Sequence, residues 1–159
     1  MAPAAARGID NTRMKLCTLL IVFRGHGTAD PQAPAFVASA ATGSVITAAG
    51  DEPLEPEARL TADVGKALMS TRVFNRDGRF FEAGRISFPD IDSHLEVDTP
   101  DAARAFARPD GSSFGAATWR IVGGGGRFTG AQGLVTGNFT GDADGGFVDH
   151  QLYKIFLPI

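Results

Sequence analysis

The stretch "IVGGGGRFTGAQGLVTGNF", from Ile121 to Phe139, constrains the fold of this chain more than any other. Seven of its nineteen residues are glycine, yet apolar residues recur to its end. Such a run either wraps a phosphate or turns a sheet. A P-loop must close its turn with Gly-Lys-Ser/Thr, whereas Arg127-Phe128-Thr129 follows the four glycines here. The dinucleotide fingerprint needs glycines at positions one, three and six of a strand–turn–helix unit, and no window from Gly123 to Gly137 supplies them. A helix after the run would contain Gly130, Gly133 and Gly137, each costing about 1 kcal/mol relative to Ala. Strand, turn, strand fits better, because glycine supplies positive φ at turns and marks bulges within strands. The stretch is therefore expected to join two strands, with no helix N-terminus and no bound phosphate.

The same punctuation runs through the chain from Val37 onward. Breakers such as "AAGDEPLEPEA", "NRDGR", "FPDID", "ARPDGSS" and "TGDADGG" separate short apolar segments. The segments predict strands over Phe36–Ala48, Arg59–Phe74, Arg79–Phe88, His94–Val97, Gly115–Val122, Gly133–Thr140 and Phe147–Leu157. Asp77-Gly78 suits a tight hairpin between two of them. Only "TPDAARAFA", Thr99 to Ala107, reads as helical, with Thr99 as cap, Pro100 at the first helical position and Pro109 barring continuation. Several strands carry apolar residues on both faces, which favours a barrel over an open sandwich. The expected fold is all-β: a small closed antiparallel β-barrel with one short helical segment.

Residues 1–35 form a compositional block of their own, and residues 36–159 form the expected barrel domain. Within the first block, Leu16 to Phe23 is almost continuously apolar but too short for a bilayer, which needs about twenty residues. From Met14 to Phe23 it resembles a truncated secretory signal. The competing readings are a first barrel strand or a tail without fixed structure. A cytoplasmic location is favoured, and secretion follows only if the stretch is a signal.

At 159 residues the chain fits one domain, able to bury about 70% of its unfolded surface without staples. Twelve Phe against one Trp and one Tyr predict a dry interior, and a cavity lined mainly by phenylalanines. Net charge is −3, which does not point to nucleic acid. Ten of the fifteen basic residues lie between Arg59 and Arg127, alternating with acids as cross-strand ion pairs on a solvated sheet face would. The lone Cys17 forms no internal disulfide, and no Cys/His cluster has zinc spacing. No metal, cofactor, nucleic-acid or membrane partner is expected.

"GGGGRFTGAQGLVTGNF" resembles the Gly-Gly-x-Gly-x-Phe-x-Gly-x-x-Gly motif of allene oxide cyclases, with Gly123, Gly124, Gly126, Phe128, Gly130 and Gly133 at its positions. The related dirigent proteins have a similar glycine-rich hairpin, and the closing "DHQLYKIFLP" is similar to the last strand of this family. The likeness runs from Trp119 to Leu157. The resemblance implies a small closed antiparallel barrel of calycin type around an apolar cavity, associated as a dimer or trimer. It also implies a cofactor-free cyclase or isomerase acting on a hydrophobic small molecule. The alternatives are a non-catalytic barrel for a hydrophobic ligand and a dirigent-like guide for radicals made elsewhere. The cyclases' catalytic acid and amide residues lie outside the motif, and none is carried over.

Alternation selects the candidate site residues, since residues two apart on a strand share a face. Glu82 shares its face with Phe80, Ile86 and Phe88. Buried there, its carboxyl would have a raised pKa and could serve as general acid or base. Glu82 is the expected catalytic group, with Phe80, Ile86, Phe88, Trp119, Asn138 and Tyr153 as ligand-binding residues; the alternative is that this face meets a neighbouring subunit and Glu82 pairs with an arginine. His94 and Glu96 share a solvent-facing side. Asp149 shares a face with Gln151, Tyr153 and Ile155, whereas His150 points the other way, so the two form no relay. No Gly-x-Ser-x-Gly appears, which argues against covalent hydrolysis.

Overall fold

A computed structural model describes residues 13–33, 36–49 and 65–159. Among the described residues nine strands follow one another: β1 Met14–Ala29, β2 Phe36–Ala49, β3 Lys66–Arg76, β4 Arg79–Phe88, β5 Ser93–Asp98, β6 Ala103–Ala107, β7 Ser113–Gly125, β8 Gln132–Gly141 and β9 Gly146–Pro158. Short 3-10 turns cover Pro89–Ile91 and Gly126–Phe128. Every pairing is antiparallel, in the order β3-β2-β1-β9-β8-β7-β5-β4-β6, and β3–β4 pairing closes the ring.

The barrel has eight positions, because β5 and β6 occupy one between them. β5 pairs with Ala83–Phe88 of β4 and Arg120–Gly125 of β7. β6 takes over farther along, opposite Arg79–Phe80 of β4 and Ser113–Ala116 of β7. The chain leaves the sheet between them at Thr99–Ala102, where Pro100 has no N–H to give a ladder.

Two sequence expectations are corrected here. "TPDAARAFA" contains strand β6, not a helix: β4 and β7 present unpaired backbone on either side, and satisfying both outweighs a local cap signal. The barrel also begins before residue 36, and of the competing readings of the first block the first barrel strand is the one found. Met14–Ala29 is β1, paired with β2 on one side and β9 on the other, and Ile21 and Phe23 are fully buried. The predicted strand from Arg59 is described only from Lys66, and its portion over 59–64 lies outside the described residues.

The glycine run makes a strand, a turn and a strand, with the turn wound as the 3-10 segment Gly126–Phe128. Its amides are already engaged: Arg127 N–H donates to Ser93 Oγ (2.9 Å), Thr129 N–H to Gly126 O (3.2 Å) and Ala131 N–H to Phe128 O (3.0 Å). These donors are therefore committed within the fold. At Gly133, φ is +143° and a Cβ would collide with the Lys154 carbonyl oxygen of β9. This position is glycine because β8 and β9 pass too close for anything else.

Inward-facing Ile21, Phe23, Ile86, Leu95, Val135, Tyr153 and Ile155 are the largest fully buried side chains. Phe88 and Phe128 pack near one end, ring centroids 5.1 Å apart. Outside, Arg85 pairs with Glu96 (3.0 Å) and Arg120 with Asp98 (2.6 Å), ion pairs across neighbouring strands.

Candidate functional site

The barrel is packed over part of its length and hollow over the rest. A cavity of about 430 Å³ lies at the end carrying the β3–β4, β6–β7 and β8–β9 connections. This lies within the range of small-molecule sites. Its walls include Val37, Met69, Val73, Phe80, Trp119, Phe139 and Phe147, and its ionisable groups are Glu82, Asp149 and Asp142.

Glu82 enters the cavity from β4 opposite the break between β5 and β6. Thr99 secures the backbone there: its N–H donates to Glu82 O (2.8 Å), and its Oγ1 accepts from Glu82 N–H (2.9 Å). The carboxylate receives the Thr71 hydroxyl on Oε1 (2.5 Å) and the Trp119 indole N–H on Oε2 (3.1 Å). Burial pushes its pKa from 4.5 up to about 7, and the charge of Asp149 acts in the same direction. The two donors oppose the shift without cancelling it. A carboxyl with its pKa raised toward neutrality has the property that general acid–base work requires.

Asp149 contributes the second buried carboxyl, from β9. Gln151 donates Nε2–H to its Oδ2 (2.7 Å), while its Oδ1 is buried without a hydrogen-bond partner. Gln151 in turn accepts the Tyr153 hydroxyl on Oε1. Burial, reinforced by the charges of Asp149 and Glu82, holds the Tyr153 pKa far above its usual value, so this hydroxyl remains a donor. The chain Tyr153–Gln151–Asp149 thus has one direction and ends on Asp149. Burial raises the pKa of Asp149, against the opposing effects of Gln151 and the charge of His150. Gly137 makes room for this group, since a Cβ there would stand 2.7 Å from the Trp119 ring and 2.9 Å from Asp149 Oδ1.

Of the sequence-predicted residues, Glu82, Phe80 and Trp119 line the cavity together. Ile86 and Tyr153 border a tight seam beside Glu82 with no room for water, and Phe88 is packed on Phe128. These three face inward as expected but belong to the packed portion. Asn138 is corrected: it is exposed on the outside of β8, opposite His150, while its neighbour Phe139 lines the cavity and a Cβ on Gly137 would point inward at Trp119 and Asp149. The phenylalanine expectation is corrected too. Phe80, Phe139 and Phe147 line the cavity, but Phe23, Phe88 and Phe128 lie in the packed core, and Phe81, Phe106, Phe114 and Phe156 are exposed.

Asp149 was legible by the alternation that selected Glu82, because "DHQLYKI" places it on the face of Tyr153 and Ile155. Gln151 follows from the same alternation, on the face of Asp149. Thr71 carries no local signal and Thr99 carries a helix-cap signal instead; they matter through β3–β4 register and the break between β5 and β6.

The closed eight-position antiparallel barrel with an apolar cavity is a dirigent-like barrel. The pterocarpan synthase dirigent protein GePTS1 is similar in structure over 93% of this chain and 93% of its own, with a TM-score of 0.55 at 18% identity. A second pterocarpan synthase dirigent protein, PsPTS1, aligns over 89% of this chain and 95% of its own, with a TM-score of 0.48 at 15% identity. At 18% identity the likeness to GePTS1 is one of fold. No protein-family model and no curated protein matches the chain.

Proposed function

We propose that this barrel takes a hydrophobic small molecule into its cavity and steers it through a ring-forming or isomerising step, as a dirigent-like protein that needs no cofactor. One observation carries the reading: two buried carboxyls, Glu82 and Asp149, stand in the wall of a mainly apolar cavity, where burial raises the pKa of Glu82. The apolar wall folds a flexible molecule into one conformation, and such positioning can remove about 7–11 kcal/mol of barrier. Glu82 then gives or takes the proton that ring closure or bond migration requires, a role worth roughly 10²–10⁴ in rate. Asp149 adds a second carboxyl to the cavity wall beside Glu82, where it can meet a polar group of the substrate.

Displacement of an apolar fluorescent dye by candidate substrates identifies binders, and product analysis with those binders tests the chemistry. Glu82→Gln should leave dye displacement within about twofold and slow product formation about a hundredfold or more. Unchanged turnover removes the proton role from Glu82. Binding without any turnover, in the natural chain and the variant alike, identifies a carrier instead.

We further propose self-association through the outer faces of β8 and β9, where Leu134, Leu152 and Phe156 are 51%, 39% and 43% exposed on adjoining strands. Leu152→Glu is expected to lower the mass seen by sedimentation equilibrium to that of one chain. An unchanged mass for the variant, or a natural chain that is already monomeric, rejects this interface.

A further inference from the structure

Strand register places three arginines in one row across the outside of the barrel. Arg76 of β3 stands opposite Arg79 of β4, and Arg79 stands opposite Arg104 of β6. Directly opposed residues share a face, and the alternate residues Asn75, Phe80 and Ala105 line the cavity, so all three arginines point outward and are exposed. Like charges opposed in this way destabilise a sheet. Elsewhere the fold avoids the problem, pairing Arg85 with Glu96 and Arg120 with Asp98. In this row Arg79 and Arg104 have no carboxylate within 4.0 Å among the described residues. Arg76 has only Asp77, at 3.9 Å with both side chains more than four-fifths exposed. Such a pair is largely screened by water.

Aromatic rings flank the row on the same outer face. Phe81, two residues beyond Arg79, is 47% exposed; Phe106, two residues beyond Arg104, is 49% exposed and stacks on Phe114 at 5.3 Å. Arg108 lies over the Phe114 ring at 5.0 Å. Phenylalanine has no polar tip to justify exposure to water. Arginines alternating with bare rings suit a boundary where phosphate charge meets hydrocarbon. Arg76 and Arg79 are exposed on the outer surface and Arg104 borders a shallow outer groove beside Pro100 and Asn138, so the three heads are spread across three strands, where a continuous anionic surface engages every arginine at once and a single small anion does not.

We propose that the outer face of β3, β4 and β6, centred on Arg76, Arg79 and Arg104, docks on anionic phospholipid membranes with Phe81 and Phe106 in the headgroup boundary. The same strand segments form one wall of the cavity, so docking brings the cavity mouth to the membrane, where apolar molecules accumulate. This departs from the expectation of no membrane partner, which rested on the shortness of the apolar run. No helix among the described residues is long and apolar enough to cross a membrane, and surface docking requires none.

The test is co-sedimentation of the full chain with vesicles of phosphatidylcholine alone and of phosphatidylcholine mixed with phosphatidylserine. Binding should be at least tenfold stronger to the mixed vesicles and fall as salt rises. The triple variant Arg76→Gln/Arg79→Gln/Arg104→Gln should lose about a hundredfold in partitioning, at about fivefold per arginine. Its melting temperature should be no lower than that of the natural chain, since opposed like charges have been removed. Arg85→Gln/Arg120→Gln, which removes the paired arginines, should partition as the natural chain does. Equal binding to both vesicle types, equal loss in the two variants, or binding abolished by low concentrations of inorganic pyrophosphate would each overturn the proposal. The last result would identify a site for soluble anions. None of these readouts depends on what the cavity binds.

Discussion

Glu82→Gln should be more stable than the natural chain at about pH 8, by about 3 kcal/mol, and nearly equal to it at about pH 4. The reason is that the folded barrel holds the Glu82 proton more tightly than the unfolded chain does, with the pKa raised from 4.5 to about 7 by burial. A carboxyl shifted upward contributes its full stability below the unfolded pKa and loses it as pH rises through the folded one. The difference of about 2.5 units corresponds to about 3 kcal/mol, lost between about pH 4.5 and 8. Glutamine keeps the shape and remains neutral throughout. Its oxygen can accept the Trp119 N–H while its amide donates to the Thr71 hydroxyl, which rotates to accept. Urea unfolding midpoints at about pH 4, 6 and 8 measure the effect. The upward shift of Asp149 leaves the variant some slope of the same sign. Parallel curves for the two proteins would mean that Glu82 ionises in the folded barrel at no cost, and the buried-acid reading would fail. The same titration bears on chemistry: a step in which Glu82 donates its proton should weaken as pH rises through about 7, and a step in which it accepts one should strengthen.

Alternation made the inward faces legible because a closed barrel has one interior and a strand has a period of two. Glu82 emerged in this way, with Phe80 beside it in the cavity. Alternation carries no information about height along the barrel axis, which depends on strand tilt and register. Hence Ile86 and Phe88 share the Glu82 face yet lie in the packed portion, while Val37 and Phe147, from distant strands, complete the cavity wall. Asn138 was misplaced because its neighbour Gly137 is the inward residue, and a glycine facing inward leaves no mark on an apolar pattern. β6 was misread for the opposite reason. Thr99 and Pro100 carry a strong local helix-start signal, and only the two neighbouring strands make Thr99 a clamp on Glu82 instead. The arginine row is likewise a product of register: Arg76 and Arg79 are near in sequence, but nothing local places Arg104 in line with them.

Gly133→Ala should destabilise the barrel by about 3 kcal/mol or more, whereas Gly123→Ala, ten residues earlier in the same run, should change stability by less than about 1 kcal/mol. At Gly133 two penalties coincide. The backbone has φ of +143°, where a side chain is strained by about 1–3 kcal/mol, and the added Cβ meets the Lys154 carbonyl oxygen, a backbone atom that cannot swing away. Relief requires β8 and β9 to separate beside Tyr153 and Ile155, both fully buried. At Gly123 the nearest atom is Glu96 Oε2 at 3.1 Å, the far end of a flexible, half-exposed side chain that can give way. For a chain of this size, about 3 kcal/mol lowers the melting temperature by roughly 10 °C, well within the reach of calorimetry. A phosphate cradle predicts a different pattern: sensitivity concentrated at the four consecutive glycines, and a melting temperature that rises with added inorganic phosphate. The committed amides of Arg127, Thr129 and Ala131 predict no rise. A tolerated alanine at Gly133 together with stabilisation by phosphate would return the glycine run to ligand binding, whereas the expected pattern makes its glycines the points at which β7, β8 and β9 close the barrel around Glu82 and Asp149.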